Sequence, residues 1–100
     1  MVTTDLLTAA RAEALFGSDL PTGSAPSGPE VTAAIRRAVR MYGGTRGCAV
    51  ALAGEYGDHP ETAAPRMRWA LQIVRTVYAR SRKGTRIIAL RDVPVRATDR

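Results

Sequence analysis

The chain has 100 residues, a net charge of +6, 45% hydrophobic and 5% aromatic side chains, which is enough for one small domain with one thin core. One cysteine excludes an internal disulfide, and one cysteine with one histidine leaves too few ligands for a Cys/His metal site. No apolar run approaches the roughly 20 residues that cross a bilayer, and Met1 to Leu7 lacks the basic flank and apolar stretch of a secretory signal, so a cytoplasmic chain with no membrane partner is expected.

A first helix is expected from a cap at Thr4 or Asp5 to Phe16, with Leu7, Ala10 and Ala14 on one face and Gly17 as its stop. Residues 18–29 hold three prolines, two glycines and three serines, a composition that predicts a flexible loop. A second helix follows, begun at Ser27 or Gly28 because Pro29 gives up an amide that has no partner in a first turn. Val31, Ala34, Ile35, Ala38, Val39 and Tyr42 recur at helical spacing on its buried face, and Gly43-Gly44 ends it. Thr45 is the expected cap of a third helix, in which Cys48, Leu52 and Tyr56 line up and Gly57 is the stop. Cys48 reads as a small core residue.

The longest helix is expected after the turn Gly57-Asp58-His59-Pro60 and reaches about Tyr78 or Arg80. Ala63, Met67, Ala70, Val74 and Val77 form one apolar side, widened by Leu71 and Tyr78, while Trp69 and Ile73 fall on another. A helix apolar on two sides is central in its domain or docks a second partner, and Trp69 and Ile73 are the candidate partner interface. Pro65 allows two starts. A helix begun at Pro60 has proline in its interior, whereas one capped by Thr62 keeps Pro65 in its first turn. After Lys83-Gly84, residues 85–91 read as an edge strand or a disordered tail, since Pro94 disfavours a sheet centre. The fold class is therefore all-α, a compact four-helix bundle over residues 1–80 with a basic tail over 81–100.

The segment Leu52 to Ala63, continuing to Trp69, resembles the helix-turn-helix of bacterial regulators, over about a fifth of the chain. A small residue stands at the crossing (Ala53), a glycine in the turn (Gly57), and a polar start follows (Pro60-Glu61-Thr62). The resemblance implies DNA binding and transcription regulation, with His59, Glu61 and Thr62 facing bases and Arg66 and Arg68 meeting backbone or guanine edges. The chain down to Tyr78 is also similar to short Ala/Arg-rich bacterial proteins of unassigned function, through phrases such as Arg11-Ala12-Glu13-Ala14-Leu15-Phe16 and His59-Pro60-Glu61-Thr62-Ala63. That likeness implies a single folded unit and no activity.

Charge supports the same direction. Residues 1–65 carry a balance of −2 and residues 66–100 a balance of +8, so a polyanion or an acidic protein would be met by the C-terminal third. The expected contacts are His59, Thr62, Arg66, Arg68, Arg75, Arg80, Arg82, Lys83 and Arg86, with nucleic acid, chiefly DNA, as the partner. The alternative is a protein-interaction module, a homodimer or a docked regulator, using the Trp69/Ile73 face. Catalysis finds little footing: His59 among Glu55, Asp58 and Glu61 has no second histidine, no phosphate cradle and no nucleophile beside it. No enzyme, cofactor or metal is expected.

Overall fold

The computed structural model describes residues 5–92, with side chains through Ala79. Four helices follow one another: α1 (Leu6–Phe16), α2 (Gly28–Tyr42), α3 (Thr45–Asp58) and α4 (Pro60–Asp92). None of the described residues is in a strand, and the chain is an all-α bundle. No helix among them is long and apolar enough to cross a membrane.

The ends of α1 and α2 follow the local chemistry. Asp5 accepts the Thr8 amide at 2.7 Å, removing one orphan donor from the first turn of α1. Ser27 and Glu30 form a reciprocal capping box at the start of α2, with Pro29 in the first turn. Gly43 closes α2 in the left-handed conformation, φ 76°, where a side chain would be strained. The start of α3 departs from expectation. Gly44, at φ 116°, precedes it without any side-chain cap, and Thr45 is its first helical residue. A Cβ on Gly47 would overlap the Tyr42 carbonyl, so the α2–α3 corner closes only with glycine there.

The corner between α3 and α4 is a single residue, His59, at φ −139°, ψ 62°. Proline at the next position pushes a residue out of the helical region, and Pro60 thereby ends α3 at Asp58. Gly57 makes no turn: it is the penultimate residue of α3. A helix-turn-helix joins its helices with three or four residues, so this corner departs from the resemblance. Helix α4 takes the earlier of the two starts and runs through Pro65. It also continues across residue 80 to Asp92, so residues 85–91 are helical instead of a strand, and the expected domain boundary coincides with no break. Residues 93–100 of the expected tail lie outside the described residues.

The main core joins Ala12 and Leu15 of α1, Val31 and Ala34 of α2, and Trp69, Ala70 and Val74 of α4. Leu15, Val31 and Val74 are its largest fully buried side chains, each contributing about 1.5–3 kcal/mol by leaving water. A smaller cluster of Ala14, Ala38 and Cys48 attaches α3. The face predicted for α2 is the buried one from Val31 to Val39, whereas Tyr42, expected on it, is exposed. In α1 the centre moves to Ala12 and Leu15, leaving Leu7 exposed. Helix α3 is held least, with Cys48 its one buried side chain and Val50 and Tyr56 exposed.

Candidate nucleic-acid interface

Helix α4 presents two different sides. Glu61, Pro65, Arg68, Gln72, Arg75, Thr76 and Ala79 are exposed, whereas Ala63, Trp69, Ala70 and Val74 are buried. The core stripe thus fixes the rotation of the helix, and Arg68 and Arg75, seven residues or about two turns apart, lie on the open side. Arg68 makes no hydrogen bond or ion pair among the described residues. Arg82 repeats the seven-residue spacing, Arg86 lies one turn on, and the helix is unbroken through both. The side chains of Arg80, Arg82, Lys83 and Arg86 lie outside the described residues.

Arg66 belongs to the other side. Two residues before Arg68, it is turned by about 200°, which aims it at the end of α1 and the loop that follows. Its Nε donates to the Phe16 carbonyl at 2.8 Å, and its two terminal nitrogens donate to the Thr22 hydroxyl and the Ser18 carbonyl, each at 2.9 Å. The guanidinium also lies 5.0 Å from the centre of the Trp69 ring and 5.7 Å from that of Phe16, within reach of the attraction between a cation and an aromatic face. Burial lowers its pKa, because leaving water disfavours the charged form. The expectation that Arg66 meets phosphate is therefore corrected: it holds the fold. The sign was in the periodicity, which already places Arg66 beside Trp69 and Ile73.

Trp69 is corrected likewise. It is 7% exposed, and its indole N–H donates to the Ser24 carbonyl at 2.8 Å. Ile73 is half-buried against the same core. The second apolar side of α4 is covered from within, by the loop expected to be flexible. That loop is fixed at Ser18, Thr22 and Ser24, and its Leu20 packs on the core. Sequence reasoning missed this because Ser, Pro and Gly there supply carbonyls and turns, neither of which leaves a hydrophobic pattern.

His59 and Thr62 stand exposed at the α3–α4 corner. Thr62 donates its hydroxyl to the His59 carbonyl at 3.2 Å, a bond that closes the first turn of α4. Glu61 is exposed on the Arg68 side. A concavity of about 890 Å³ lies between Pro26, Pro29, Val77 and Tyr78 and has Arg36 as its one charged lining residue among the described residues, an arrangement without an acid/base pair. Among the described residues no group of His, Cys, Asp and Glu is gathered to hold a metal ion. No protein-family model matches the chain, and neither the curated proteins nor the solved structures gave a match.

Proposed function

We propose that this protein is a small DNA-binding regulatory or accessory factor that holds phosphates along the outward side of α4. One observation carries the reading: α4 is a continuous helix from Pro60 to Asp92 whose core stripe leaves Arg68 and Arg75 exposed, in register with Arg82 and Arg86. From Arg68 to Arg86 the helix rises about 27 Å, a span comparable with most of one turn of duplex. The mode is phosphate gripping by a rod, without Arg66 and without a recognition helix set by a glycine turn. Among its described residues the open side carries no aromatic ring, so it offers no platform for unstacked bases, which favours duplex over single strands. The alternative of docking through Trp69 and Ile73 has lost its footing, since that face is filled internally.

Titration of labelled random-sequence duplex, single-stranded DNA and RNA over a salt series tests this. Contacts from Arg68, Arg75, Arg82, Lys83 and Arg86 give an expected slope of log K against log salt of about −4.5 on duplex. A flat response would remove the proposal, and preference for single strands would overturn the duplex mode.

A further inference from the structure

A second polar site lies at the other end of α4, away from the outward stripe. Phe16 from α1, Gly17 and Thr22 from the loop after it, Tyr42 from α2, Glu55 from α3 and Arg66 from α4 all border one cavity of about 230 Å³. Two opposite charges line it. Arg66 is half-buried and bonded only to neutral oxygens, those of Phe16, Ser18 and Thr22, which uses three of its five N–H donors. Glu55 borders the same space, and its carboxylate makes no hydrogen bond or ion pair among the described residues. The two charges do not meet. Arg66 is held toward the loop by its three acceptors, and Glu55, exposed on α3, borders the space from a different helix.

We propose that this cavity binds a small zwitterion of α-amino-acid size, its carboxylate on the remaining donors of Arg66 and its ammonium on Glu55. At roughly 30 Å³ per water, a cavity of about 230 Å³ has room for about eight waters, the size of an amino acid of about that many heavy atoms. A simple anion would satisfy Arg66 and be repelled by Glu55, and a simple cation would meet the reverse, so a ligand carrying both charges fits better than either half. Thr22, Tyr42 and Phe16 complete the lining, the Thr22 hydroxyl being bonded to Arg66. The lowered pKa of Arg66 agrees with a guanidinium that gains from an incoming carboxylate.

Amide chemical shifts of the full chain, titrated with glycine, serine, acetate and methylammonium at constant ionic strength, test the proposal independently of DNA binding. Glycine and serine are expected to give saturable shifts at Gly17, Ala51 and Ala63, and acetate and methylammonium to bind at least about tenfold more weakly. Glu55→Gln, an exposed change that leaves Arg66 in place, is expected to weaken the zwitterions about tenfold with Tm unchanged. Ala51→Met, which fills the cavity from α3, is expected to abolish the shifts. Absence of saturation with both amino acids overturns the proposal. So does acetate binding as tightly as glycine, or Glu55→Gln binding undiminished.

Discussion

The inward and outward sides of α4 carry the same side chain in different surroundings. Arg66 is enclosed by two ring faces and three oxygen acceptors, whereas Arg68, two residues on, is exposed and has no partner among the described residues. The comparison teaches that a count of positive charge does not define a polyanion site. The phase of each residue against the core stripe decides whether an arginine is anchored in the fold or open to solvent.

Exchanging the inward arginine for alanine breaks the comparison most sharply. Arg66→Ala removes three charged hydrogen bonds and leaves two carbonyls short of a donor, and is expected to cost roughly 2–4 kcal/mol. At about 4–8 °C per kcal/mol for a domain this small, the thermal midpoint followed by circular dichroism falls by about 8 °C or more. Arg66→Lys should recover little, since an ammonium does not reproduce the planar fork. Loss of DNA affinity in a stably folded Arg66→Ala chain would instead return Arg66 to the binding surface.

Trp69→Phe sharpens the same point on the aromatic neighbour. The ring volume is largely kept while the Ser24 carbonyl loses its donor, for an expected loss of about 1–2 kcal/mol and faster proteolysis within residues 18–24. Arg68→Ala is the outward counterpart. It should move stability by less than about 0.5 kcal/mol and make the salt slope on duplex shallower by about one.

The smallest effect belongs to Cys48, whose pKa burial raises from its ordinary 9.0, with the charge of Glu13 adding to it. The folded state favours the neutral thiol. Its contribution is therefore complete below the unfolded pKa and is lost as the pH climbs through the higher folded value. Thermal midpoints taken on either side of about pH 9 should fall more in the native chain than in Cys48→Ala.

Much of the fold was legible because it rests on local rules. Ser27-Gly28-Pro29-Glu30 announces a helix start, Gly43 its end, and the spacing from Val31 to Val39 its buried face. The α3–α4 corner was harder, because two signals competed there. Gly57 looked like the turn, but it is helical, and the steric demand of Pro60 on His59 made the corner one residue later. The strand expected over 85–91 came from β-branched residues in a short window, whereas continuation of an existing helix needs no new nucleus. Of the site, the outward register of Arg68 and Arg75 could be read from periodicity alone. The placing of Arg66 beside Trp69 could be read the same way, but its bonds could not, because two of its three acceptors are backbone carbonyls 48 and 50 residues away, and a carbonyl has no identity in a sequence.

Those long-range bonds also set an order of events. Helix α1 packs most extensively on α4, and the segment after it is tied down by side chains at positions 66 and 69. During synthesis α1 thus waits for α4 before its apolar face is fully covered, and loop closure over some fifty residues precedes the reward of core formation. A nascent chain halted before Pro60 would expose Leu15 and Val31 together, a surface for a chaperone to guard until the closing rod arrives.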